Sequence, residues 1–175
     1  PGASAPASPG ARGGKPSAKA RTSTAGAGLV VPTAVSVITA GSATLDHFAY
    51  KGNVKMPSAG GGTVTMMKFT ATALTLSGGA ADTVTESGVT AVTSSPVMAF
   101  NGNVVLYATK LSGKLAGIPL TFTPTTISGL LLTTASVLTS STVVTMTSVS
   151  TDQAMGTADS LTYGPAGNGF AVTLH

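Results

Sequence analysis

Pro96 to Pro124, PVMAFNGNVVLYATKLSGKLAGIPLTFTP, is the stretch whose reading decides the fold. It holds the densest run of β-branched and aromatic residues, is bracketed by two prolines, and carries the pair Asn101-Gly102. Branched side chains crowd a helix and suit a pleated surface, so the run reads as strand. Asn-Gly between apolar runs is the strongest short-range hairpin signal. The same pattern occurs earlier. Ala49 to Met56 reads AYKGNVKM and Ala99 to Leu106 reads AFNGNVVL. The first copy has Lys51-Gly52 where the second has Asn101-Gly102. Lys-Gly is a poor hairpin pair, so a bulge within a long strand competes with a hairpin tip at both places.

Outward from this stretch the signals are mostly of strand. Leu29 to Thr39 is apolar but interrupted by Pro32, too short to span a membrane, and reads as a first strand. Ser42 to Met56 continues as strand with a bend at Gly52, and Ala59 to Gly62 is a turn. Thr63 to Ser77 alternates with one-residue slips, as expected of a strand buried on both faces in different stretches or of one that turns a corner between two sheets. Gly78-Gly79 is expected to close it, and Asp82 to Thr93 to form a polar edge strand. Ile118, Leu120 and Phe122 fall on one face of a strand. After Pro124 the period changes. Ile127, Leu130, Leu131 and Leu138 follow helical spacing and predict one short helix over 126–139, capped by Thr125 or Thr126. Val143 to Val149, Ala158 to Tyr163 and Phe170 to Leu174 return to strand.

Composition sets the limits. Only 8% of residues are charged and 42% are hydrophobic, which favours a folded domain over most of the length. The expected fold is mainly β, a two-layer antiparallel sandwich or a jelly-roll or taco-like layer pair, over residues 29–175. Residues 1–28 hold no large apolar side chain and are expected to be a disordered Pro/Ala/Ser/Gly-rich linker. All the net charge of +4 lies there, on Arg12, Lys15, Lys19 and Arg21, while five lysines balance five acids in the remainder. That distribution argues against a nucleic-acid partner for the folded part and suggests a tether for a polyanionic cell wall or an anionic membrane surface. The chain begins at Pro1 without Met, which suggests a processed or excised fragment.

The chemistry of the sequence is sparse. There is no Cys, so thiolate and disulfide chemistry are excluded. His47 sits beside Asp46, and neighbours on a strand point to opposite faces, so no catalytic triad is read there. No metal-ligand cluster, phosphate loop or cofactor motif appears, and neither a catalytic residue nor a cofactor is expected. What remains is apolar surface, including six Met side chains suited to adaptable packing. Met66, Phe69, Leu74, Phe100, Leu106, Leu120, Phe122, Leu130 and Leu131 are the candidate lining of either a solid core or a groove between layers, with the helix as its lid. Two functions follow. One is a non-enzymatic protein that binds or carries a lipid; the other is a structural or adhesive module with a solid core.

Lys110 to Pro124, KLSGKLAGIPLTFTP, and Thr65 to Gly78, TMMKFTATALTLSG, resemble an uncharacterised group of actinobacterial exported or envelope-associated proteins. Thr157 to Tyr163, TADSLTY, is similar to strands of the lipid-shuttling β-taco proteins of the bacterial envelope. These resemblances imply an exported, extracellular or envelope-associated protein, and the second implies a lipid as ligand.

Overall fold

The structure, a computed structural model, describes residues 28–127 and 142–164 together with the backbone of residues 171–174. Ten antiparallel strands form one sheet. They are β1 (Val35–Asp46), β2 (Ala49–Pro57), β3 (Thr63–Glu86), β4 (Val89–Ala108), β5 (Lys110–Leu115), β6 (Ile118–Phe122), β7 (Val143–Asp152), β8 (Met155–Thr157), β9 (Ser160–Tyr163) and β10 (Ala171–Leu174). The mainly β antiparallel fold is the one expected. Its two facing layers belong to one continuous sheet.

Strand β3 is the axis. Its 24 residues would span roughly 80 Å if straight, about twice the width of a domain of this size. On one side β1 and then β2 run along it as a single interrupted strand, Val35 opposite Thr85 through to Pro57 opposite Thr63. On the other side β4 pairs with it from Met67–Ala108 to Glu86–Val89. The β3–β4 hairpin turns at Ser87 and Gly88, both with positive φ. Residues 82–93 are therefore the two arms of this hairpin and its tip, in place of the single edge strand expected. Periodicity missed the turn because Ser-Gly there is set among Thr and Val no different from the arms.

The sheet bends along lines of bulges. Gly78 and Gly79 are extra residues on β3, opposite Pro96 of β4, and so do not end the strand. A proline in mid-strand is tolerated here because the ladder is already interrupted at the bulge. In the same row of the sheet lie Gly41 of β1, then the bulged Ser148 and Val149 of β7 opposite Gly113 of β5. A second row runs through Gly102 and Asn103, a bulge of β4 opposite Thr72, to His47 in the break between β1 and β2. Asn101-Gly102 thus leads into a bulge, with Asn101 still paired to Ala73, and is not a hairpin tip. Its sequence twin behaves alike: Lys51 and Gly52 form a two-against-one bulge of β2 opposite Lys68. Gly78, Gly79, Gly102, Asn103, His47, Ser148 and Gly52 all have positive φ.

Two strands turn the corner outright. The chain passes from β4 to β5 through Thr109 alone, and from β7 to β8 through Gln153 and Ala154. The ladder of β4 with β8 continues, past the Thr109 N–H bond to the Asp152 carbonyl, as the ladder of β5 with β7. One face of the sheet is thereby folded around its own core, in which Leu45, Phe69, Leu74, Leu76, Met98 and Met146 are buried with Leu115, Phe122 and Val144. A smaller cluster, Val31, Met56, Met66 and Tyr107, packs on the opposite face, where the segment before β1 crosses β2 and Val31 bonds across to Pro57 and Ala59. The expected first strand over 29–39 therefore begins only at Val35, past Pro32.

After β6 the Thr123 hydroxyl accepts the N–H of Thr126, while Thr126 Oγ1 accepts the N–H of Thr123. With Pro124 at the first position this is a reciprocal helix cap, seated at Thr123 rather than at the expected Thr125 or Thr126. Ile127 is the first helical residue, and the rest of the expected 126–139 helix lies outside the described residues, as do residues 1–27 of the expected linker.

The bulge row generates a stability prediction. A Cβ on Gly41 would lie 2.8 Å from the Gly78 carbonyl oxygen, a backbone atom that cannot move aside. Gly41→Ala is expected to lower unfolding free energy by about 1–3 kcal/mol in denaturant titration. Gly60→Ala, whose Cβ meets the Thr33 methyl at 3.3 Å and the Ser58 hydroxyl at 3.7 Å in an exposed turn, is expected to stay within about 0.5 kcal/mol of the parent.

Candidate apolar ligand site

The fold leaves a hollow where its core layers meet. The cavity measures about 70 Å³ and is walled by β1 (Ile38, Ala40, Ala43, Leu45), β3 (Phe69, Leu74, Leu76), β4 (Phe100, Leu106, Tyr107, Ala108), Leu111 of β5 and Met146, Val149 and Thr151 of β7, with Phe48 and Ala154 from the two strand breaks. Among the described residues Thr151 is the one polar side chain of this wall on the core face, since the Tyr107 ring packs in the cluster on the opposite face. Space exists because the facing positions are small: Ala40, Ala43 and Ala108 are buried where a branched residue would fill the gap. A second cavity, of about 10 Å³, lies toward β6 between Phe48, Phe69, Leu111, Leu115, Phe122, Ile127 and Met146.

Of the residues expected from sequence, Phe69, Leu74, Phe100 and Leu106 line the larger cavity and Phe122 the smaller. Leu120 packs half-buried against the same core. Met66 is fully buried but in the cluster on the opposite face, because a β-strand sends adjacent Met66 and Met67 to opposite sides. Leu130 and Leu131 lie outside the described residues. Sequence reading missed the alanines and the β7 wall. Strict alternation in Val144, Met146 and then Val149 past the bulge carried a signal for β7, while an alanine facing a void looks like any other alanine.

An aromatic cluster closes one flank. The Phe48 and Phe69 rings stack at 5.2 Å, and Tyr50 tilts against Phe69 at 5.6 Å. The Tyr50 hydroxyl donates to Asn53 Oδ1 at 2.6 Å, and Asn53 Nδ2 donates to the Pro124 carbonyl at 2.6 Å, joining β2 to the chain after β6. Asn53 stands one residue past the Gly52 bulge, so the repeated Gly-Asn has a mechanical role in this copy. In the second copy Asn103 Nδ2 donates to Asp159 Oδ2 at 2.9 Å, which ties the β4 bulge to the turn before β9.

Asp46 and His47 do not point apart as adjacent strand residues would. His47 has φ 50°, which ends β1 and lets its Nδ1 approach Asp46 Oδ1 at 2.9 Å and Thr72 Oγ1 at 3.3 Å. Both partners use the same ring nitrogen, so the arrangement does not relay a proton from hydroxyl through ring to carboxylate. The pair is largely exposed, and among the described residues no three acids or histidines gather as a metal site would need.

Burial raises the Tyr50 phenol above its ordinary value of 10.0. An acid whose folded-state pKa is raised favours the folded state while neutral. Its contribution is intact below about pH 10 and is lost as pH climbs through the raised value. Absorbance titration at alkaline pH is expected to show Tyr50 ionising above its ordinary value, and Tyr50→Phe is expected to remove that step and the matching alkaline loss of stability.

No protein-family model, curated protein or solved structure matches this chain.

Proposed function

We propose that the protein is a non-enzymatic, exported or envelope-associated protein that binds or carries the hydrocarbon part of a lipid in the hollow of its bent sheet. The observation that carries this reading is the composition of the wall: seventeen residues, among them no carboxylate, amine or imidazole. Such a surface offers a ligand burial and little else, which suits an alkyl chain and gives poor purchase for acid–base chemistry. Export and envelope association are supported by the basic, Pro/Ala/Ser/Gly-rich residues 1–28 and by the resemblances noted above.

A second reading is favoured by volume. About 70 Å³ is half of the ~150 Å³ engineered void that accepts benzene, so the hollow as it stands takes the end of a chain. In that reading the protein is a structural or adhesive module that presents its outer face. There Thr162, Ala99, Thr75, Thr44 and Thr145 stand in one cross-strand row with no charge among them.

Solvent extraction of the purified protein followed by mass spectrometry separates the two. The carrier reading expects a co-purifying lipid in the parent. In Ala43→Leu, which fills the cavity, it expects at least a tenfold loss of that lipid with melting temperature unchanged or raised. Parent protein that carries no lipid and takes up none from vesicles leaves the structural module. The tether is tested separately: replacement of Arg12, Lys15, Lys19 and Arg21 by Gln is expected to abolish salt-sensitive sedimentation with anionic vesicles.

A further inference from the structure

The larger and smaller cavities share four wall residues, Phe48, Phe69, Leu111 and Met146. From this sharing we infer that the two are one hydrocarbon tunnel divided by the side chain of Phe48, and that Phe48 is a gate setting the length of alkyl chain the protein accepts. The inference rests on the reading of the hollow as a ligand site.

Three of the four shared residues are fixed on both flanks. Phe69 pairs with Tyr50 and Leu106, Leu111 with Phe122 and Thr151, and Met146 with Ala43 and Leu115. Phe48 is different. It stands between the end of β1 and the start of β2 and, among the described residues, has no ladder partner. It follows His47, whose left-handed φ of 50° takes the chain out of the ladder, and whose N–H is bonded to the Thr142 carbonyl at 2.6 Å. Its ring is half-buried and is held by stacking on Phe69 at 5.2 Å with 21° between planes. Rotation of Phe48 about its side-chain bonds breaks that ring contact and no backbone hydrogen bond. With the ring displaced, the space runs from the half-buried Ile38, Thr151 and Ala154 at one end to Phe122 at the other. Neither cavity is wide, and among the described residues no charged side chain lines either, so the occupant is an unbranched alkyl chain whose polar head stays outside.

The test compares the full chain with Phe48→Ala and Phe48→Leu, titrated calorimetrically with butanoate, hexadecanoate and hexadecanoyl lysophosphatidylcholine. Each methylene moved from water to an apolar wall is worth about fourfold in affinity. In the parent, affinity is expected to gain little between butanoate and hexadecanoate. In the variants the ratio of hexadecanoate to butanoate affinity is expected to rise at least tenfold. Adding Leu115→Phe, which fills the small cavity, is expected to cancel the rise. The same rise with the lysophospholipid assigns a chain carried on a phospholipid head; a rise with the free acid alone assigns a fatty acid. Variants that bind as the parent does, with the same chain-length ratio, overturn the gate and leave the ligand site standing. Absence of binding by all three proteins, with far-UV spectra unchanged, overturns the ligand site itself. Phe48→Leu keeps an apolar group at the position, so the comparison survives if the alanine variant fails to fold.

Discussion

A β-sheet with a largely apolar face must bury it, and among the described residues this sheet covers that face chiefly by folding over itself. All else in the architecture answers that requirement. A straight β3 would expose most of its length, so the strand is bent where extra residues interrupt its ladders. The bulges do not fall at random. Gly78-Gly79, Gly41, Ser148 and Gly113 lie in one row, and Gly102-Asn103, Thr72 and His47 in another, so neighbouring strands bend together and keep their pairing between bends. Both rows contain backbone that adopts left-handed φ, and in the first the strands also come close enough that glycine is needed. At Gly41 the 2.8 Å approach is to backbone, the Gly78 carbonyl oxygen, whereas a Cβ on Gly102 would meet the Asp159 side chain.

The bends also decide where the hollow lies. Small residues on facing walls, Ala40, Ala43 and Ala108, let the sheet close without filling the space it encloses. The aromatic cluster of Phe48, Tyr50 and Phe69 sits beside the β1–β2 break, where the β3 ladder is interrupted. The break in the wall at this flank and the curvature of the sheet therefore have one cause, the interruption of hydrogen bonding at a bend.

Much of this was legible in the sequence, and what was not has physical reasons. The repeated Gly-Asn motif marked two equivalent bends, since glycine inside a strand pattern signals a bulge. The slips in alternation along Thr63 to Ser77 marked a strand that changes layers. Gly78-Gly79 was misjudged because a glycine pair looks the same whether it ends a strand or bulges within it; only the partner Pro96 on the far strand distinguishes the two. The cavity wall was half legible. Phe69, Leu74, Phe100 and Leu106 announce burial by size, whereas Ala43 and Ala108 matter through volume they lack. Met66 is core and not cavity wall: two adjacent methionines are both buried, and alternation cannot say which of two buried faces holds the hollow.

The pairing of β1 with β7 has a kinetic consequence. It joins residues about one hundred positions apart, Asp46 to Val143 and Val37 to Asp152, while the β3–β4 arms meet across the two-residue tip at Ser87-Gly88. Closing a long loop costs entropy before any contact repays it, so the hairpin is the segment able to assemble early and β7 is among the last to dock. Until it does, the walls contributed by β1 and β3 face water with their apolar side chains bare. Pulsed hydrogen exchange during refolding would register this order as early protection around Thr85 and Thr90 and late protection along β7. The interval between the two is the period in which the chain is most exposed to association with its own copies, and it is set by connectivity rather than by the strength of the finished core.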